Sequence, residues 1–222
     1  MVAVFLLIIL AVGVLWIKAN IEVNKLCKGK TEDQKKVIKY RYGGLLVFGK
    51  MTDQEYDQHV QKVVRELNLK QRALNKIGID EEQLKEIEPV FFEGYSKSKA
   101  FIGKDDRLRS TIYETAWLFF SETQVYMYSY RLDMTSDDRR EATEEYFYKD
   151  ITNFSTSAET IEAFRTKTGC FGTQDKEKVN REFSDFGLIV PGDKFRCSTS
   201  NVKDVDRSVN AMKQKLREKK NA

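Results

Sequence analysis

Cations are the residues of this chain whose types and spacing could do chemistry, and that chemistry is the holding of anions. Lys97, Lys99, Lys104, Arg107 and Arg109 crowd one short stretch, SKSKAFIGKDDRLRS. Lys25, Lys28, Lys30, Lys35, Lys36 and Lys39 form a second set beside an apolar N-terminal run. Beside an anionic lipid surface each such lysine gains about 1 kcal/mol. Lys213, Lys215, Arg217, Lys219 and Lys220 close the chain, where they complement the dipole of a helix C-terminus.

Catalytic chemistry finds little to work with. His59 is the single histidine, so a histidine-based triad or zinc site has no second imidazole. The chain has no GxSxG, P-loop or GxGxxG motif. Asp133, Asp137, Asp138, Glu141, Glu144 and Glu145 lie close together, but their spacing is not that of a calcium loop. Arg139 and Arg140 sit among them, which reads as a solvated, self-neutralised loop. Cys27, Cys170 and Cys197 are odd in number and far apart, suiting unpaired thiols in a reducing compartment. Cys170, in TGCFG, has no paired base in the sequence. No catalytic, cofactor-binding or metal-ligating residue is assigned.

The elements that must carry these residues follow from patterning. Residues 2–17, VAVFLLIILAVGVLWI, are uninterrupted by charge. Eight Lys/Arg then fall between Lys18 and Arg41, against Glu22, Glu32 and Asp33. Such a run followed by cations reads as a single transmembrane anchor over 1–18, with the N-terminus outside and the rest cytoplasmic at the inner membrane. Its exit, WIKAN, lacks the small residues of a signal-cleavage site. Residues 19–50 read as a basic neck and connector, with a short strand or ordered link at 37–48. Residues 51–89 read as a helical hairpin. Thr52 and Glu55 form a capping box, and Tyr56, Val60, Val63, Leu67, Leu74 and Ile77 make one helical stripe. Gly78 ends it, and a second helix runs from Asp80 to Pro89.

Residues 90–222 read as antiparallel strands and a closing helix. TIYETAWLFFS, QVYMYSYRLDM and YFYKDITNFSTS are aromatic and β-branched. TSDDRREATEE reads as a link and residues 158–180 as irregular. EFSDFGLIV and DKFRCSTS form a hairpin about Pro191-Gly192. The last helix starts near Val202 or Asp204 and faces inward through Val205, Val209, Met212 and Leu216. The class is α+β. A net charge of +4, with much of the excess in the neck, argues against a dedicated nucleic-acid binder.

Strands closed by one C-terminal helix resemble the pleckstrin-homology-like superfold, including bacterial PH and GRAM-type domains. The segment Tyr148-Lys149-Asp150-Ile151-Thr152-Asn153-Phe154 carries the closest local likeness, and Phe183 to Ser198 plus the helix resemble the last hairpin and cap. The likeness covers about residues 90–220 and implies a sheet or partial barrel, although five or six strands are legible where the superfold has seven. It also implies binding of lipid headgroups, peptides or proteins, with Lys97, Lys99, Lys104, Arg107 and Arg109 as the ligand or headgroup loop. The expectation is therefore a membrane-anchored cytosolic binding module for a protein partner or an anionic lipid, without catalysis. The alternatives are an accessory subunit of a membrane complex and an enzyme with no recognisable motif.

Overall fold

Two capping boxes start the helices that cover the sheet. Thr31 accepts a hydrogen bond from the Gln34 amide (3.2 Å), and the Gln34 side chain accepts from the Thr31 amide (3.0 Å). Thr52 and Glu55 do the same at 3.2 and 2.7 Å. Each pair satisfies two backbone donors that a helix start leaves free. The structure is a computed structural model describing residues 2–43, 47–80, 82, 84, 87–168 and 174–221; side chains of residues 2–9, 12, 15, 19, 167, 168, 174 and 175 lie outside the description.

The helices are α1 (Val2–Cys27), α2 (Glu32–Tyr42), α3 (Asp53–Glu66), α4 (Leu69–Ile77) and α5 (Val205–Asn221). The strand or link expected at 37–48 is helical to Tyr42, because Val37 is buried and Tyr40 stacks on Tyr56, with ring centroids 4.6 Å apart. The stripe from Tyr56 to Ile77 is broken at Asn68, which takes a left-handed φ of 44° and separates α3 from α4. The second hairpin helix, expected from Asp80 to Pro89, falls largely on positions outside the described residues.

The expected transmembrane anchor is corrected. Among the described residues no helix is long and apolar enough to cross a membrane. α1 runs without a break past Lys18, Glu22 and Lys25, and its Val23 and Cys27 pack on Ile38 and Val47. With the anchor go the single-pass topology, the N-terminus outside, and the inner-membrane and cytoplasmic placements inferred from it.

The sheet is also not one sheet. β1 (Val90–Tyr95), β4 (Ile112–Phe120), β5 (Gln124–Asp133) and β6 (Arg139–Phe147) form sheet A, antiparallel throughout, in the order β1-β4-β5-β6. β2 (Ala100–Ile102), β3 (Leu108–Ser110), β7 (Asn153–Thr168), β8 (Gln174–Val190) and β9 (Asp193–Ser198) form sheet B, in the order β3-β2-β7-β8-β9, with β2 parallel to β7. The basic stretch thus holds a small β2–β3 hairpin. The irregular segment expected at 158–180 is mostly the β7–β8 ribbon, on which Ala163 packs against Ala100 and Ile102.

Sheet A is the middle layer. On one side Tyr113, Phe119, Tyr128 and Tyr130 meet Tyr56, Val60, Val64 and Ala73 of the helices. On the other, Phe92, Leu118, Phe120 and Met127 meet Phe154, Phe186, Leu188 and, from α5, Val209, Met212 and Leu216.

One buried cation ties the helices, the sheet and the β2–β3 hairpin together. Arg109 is 1% exposed. Its guanidinium donates to both carboxylate oxygens of Asp57 on α3 (2.8 and 2.7 Å) and of Asp105 (2.6 and 2.7 Å). Tyr95 donates to Asp57 (2.6 Å), and Tyr40 donates to Asp53 (2.8 Å), which also accepts from the Asp105 amide (3.0 Å). A Cβ on Gly103 would strike Arg109, Asp53 and Asp105, so the chain needs glycine there. Arg109→Ala leaves Asp57 and Asp105 facing each other without their cation, and a loss of about 3–5 kcal/mol in urea unfolding is expected. A loss below about 1 kcal/mol, the range of exposed pairs, would show that the clasp holds nothing.

Candidate anion-binding cleft

Register brings together residues that the sequence keeps apart. Across sheet A, Glu114 on β4 lies opposite Arg131 on β5, and Arg131 lies opposite Arg140 on β6. Opposed residues of antiparallel strands share a face. This row sits on the face that carries Phe92, Leu118 and Met127 deeper in the layer. Arg131 reaches Glu114 at 3.5 Å. Arg140 makes no ion pair among the described residues, so the row carries two cations against one anion. Like charges directly opposite one another are unfavourable.

The next row is Ala116, Ser129 and Ala142. Small side chains there leave room. Ser129 and Ala142 line a cavity of about 620 Å³, with Arg131 and Arg140 beside them and Phe195 and Cys197 of β9 opposite. Burial pushes the Cys197 thiol well above its ordinary pKa, so it stays protonated. Arg196 is engaged by Asp185 at 2.7 Å. The cleft is thus a recess between the sheets lined by Arg131, Arg139, Arg140 and Arg196 together with Glu114 and Glu141.

β6 is fixed from its other face. Glu141 accepts from Arg72 Nε and Nη2, both at 2.8 Å, and from the Tyr128 hydroxyl at 2.7 Å, with Lys76 at 3.2 Å. Arg72 lowers the Glu141 pKa from 4.5 to about 2. Arg140 is the neighbouring residue and faces the opposite way, so α4 holds the strand that presents it.

The cations singled out in the sequence are mostly committed elsewhere. Lys97 pairs with Glu159 and Lys99 with Asp133. Arg109 is the buried clasp. Lys104 and Arg107 are exposed. Lys35 and Lys36 pair with Glu32 and Asp33 along α2, Lys25 and Lys28 are exposed, and Lys30 and Lys39 are partly covered. Of the acids, Asp133 takes Lys99 and Thr135, and Asp137 accepts from Gln34. Among the described residues no group of three or more His, Cys, Asp or Glu could hold a metal ion. Cys170 lies outside the described residues.

The sequence reads Arg140 as part of a self-neutralised loop, because β6 looks like one, and so does not bring it beside Arg131 of β5. RREATEEYF lacks apolar alternation, as an edge strand with solvent on much of its surface does. No family model, curated protein or solved structure matches the chain.

Two outcomes follow. In the dilute, unassociated chain Arg140→Glu replaces a like-charge opposition with an attraction, so stability is expected to hold or rise by about 0.5 kcal/mol. A fall of more than about 1 kcal/mol on urea titration would mean Arg140 is structural. Glu141 has a depressed pKa when folded, so its contribution is present above about 4.5 and is lost as pH falls towards about 2. Solvent reaches Arg72, so Glu141→Gln should cost about 1 kcal/mol at neutral pH. The gap from the unsubstituted protein should close between those two pH values, and a gap independent of pH would contradict the assignment.

Proposed function

We propose that this chain is a non-catalytic binding module whose inter-sheet cleft takes an anionic group, a phosphate or a carboxylate. The observation that carries the reading is the opposition of Arg131 and Arg140 beside a recess floored by small side chains. A guanidinium is a planar fork suited to bidentate contact with either kind of anion. Two of them sharing one glutamate leave a positive charge for a ligand to neutralise. A partly water-excluded recess strengthens that attraction relative to an exposed lysine.

The resemblance to pleckstrin-homology-like domains is in keeping with this reading. Four strands in the order of sheet A, then the β7-β8-β9 meander, then α5, follow the chain order of that superfold once the β2–β3 hairpin is set aside as an insertion. In the superfold's binding members such a module recognises a ligand and performs no reaction.

Calorimetric titration with inorganic pyrophosphate tests the proposal. Saturable one-site binding is expected, weakened by salt and reduced at least tenfold by Arg131→Ala or Arg140→Ala. The double change Lys97→Ala, Lys104→Ala should leave it intact. Absence of binding, or binding lost with the two lysines and kept without the two arginines, would overturn the proposal.

A further inference from the structure

The outer edge of β6 has no strand beside it among the described residues, although its pairing with β5 is regular through all nine residues, Arg139 to Phe147. Its charges are arranged in an uncommon way. Arg139 and Arg140 come first, Glu144 and Glu145 come last, and Ala142 lies midway. Neither arginine has an acidic partner among the described residues. Glu144 accepts from the Tyr146 hydroxyl and Glu145 from the Gln124 amide (3.3 Å), both neutral donors. Four exposed or half-exposed charges on one edge strand are therefore uncompensated by opposite charge. Glu141, by contrast, is neutralised by α4.

We propose that β6 pairs antiparallel with β6 of a second copy of this chain, about a two-fold axis at Ala142. In that register Arg139 stands opposite the second copy's Glu145, and Arg140 opposite its Glu144. The symmetry repeats both pairs. Opposed residues share a face, and each pair is even with even or odd with odd. The helix-covered faces of the two sheets therefore stay on one side, and two four-stranded sheets become one of eight strands. The register is specified by charge. A shift of two residues one way sets Glu141 against Glu145; the other way it leaves the arginines opposite Thr143 and Ala142. A shift of one residue either way turns the second sheet over, and in one direction it also sets Glu141 against Glu144. Charged residues protect an edge strand from unselective pairing. Here the same residues are complementary to their own copy, which is the isologous condition for a closed dimer.

The pairing does not rest on the anion reading of the cleft. Arg139 and Arg140 belong to both surfaces, so a cleft anion and the second copy's Glu144 and Glu145 draw on the same two guanidinium groups. Glu144 and Glu145 do not line the cleft, and this separates the tests. Two charge-reversed full-length variants carry the experiment: Glu144→Lys with Glu145→Lys, and Arg139→Glu with Arg140→Glu. The first makes the strand's reversed positions all positive, the second all negative. Each is prepared tagged and untagged, with folding checked by circular dichroism, and association is read by co-purification and light scattering.

The unsubstituted protein should bind its own copy, each variant should lose self-association at least tenfold, and the two variants mixed should regain it. Independently, Ala142→Cys should form a disulfide with its own copy under mild oxidation, because residues on the axis sit within cross-linking range. The unsubstituted chain should not cross-link under the same conditions. A monomeric unsubstituted protein, folded variants that self-associate undiminished, or a folded mixture that fails to associate would each overturn the pairing. If the reversed variants do not fold, absence of the Ala142→Cys cross-link does so.

Discussion

Burial of sheet A on both faces is the constraint from which the rest follows. A four-stranded sheet with two wet faces has too little apolar contact to stand. Here the helices cover one face, and sheet B with α5 covers the other. β4 and β5 therefore lose the usual alternation of apolar and polar residues over much of their length: rings such as Tyr113, Phe119, Tyr128 and Tyr130 on one face, and Ala116, Leu118, Phe120, Val125 and Met127 on the other. Each large side chain so buried contributes about 1.5–3 kcal/mol. At one corner, where β6 is the last strand of sheet A, the two sheets are separated by the cleft between β6 and β9. Charge collects at that corner, on the row Glu114, Arg131 and Arg140.

Ion pairs in this protein divide by burial into two kinds. Arg109 is buried and doubly paired, and α3 cannot leave the sheet without stripping it of Asp57. Its value lies in the cost of breaking it rather than in making it, since an apolar core could fill the same space. Arg131 and Arg140 are of the other kind. They stand opposed on neighbouring strands, where opposite charges would be more favourable.

Legibility in the sequence followed the physics of each segment. The Thr52–Glu55 capping box, the aromatic strands β4 and β5, the Pro191-Gly192 turn and the inward stripe of α5 are local signals, and the structure contains them. α2 was not legible because Val37 and Tyr40 are held helical by contacts with residues far along the chain. β6 and the β7–β8 ribbon were not legible because strands with solvent beside them carry charges and lack alternation. The sequence places Arg109 in the ligand or headgroup loop, since its burial depends on Asp57, fifty-two positions away. The cleft could not be read at all from spacing: Arg131 and Arg140 meet only through strand register, which no composition rule supplies.

Residue-resolved amide chemical shifts of the labelled chain, followed while pyrophosphate is added, test the central claim most directly. The account predicts changes concentrated on residues 114–116, 129–131, 139–142 and 195–197, saturating together. Shifts gathered instead on residues 96–107 or on the lysines of α1 and α2, with the row at Arg131 and Arg140 silent, would contradict it.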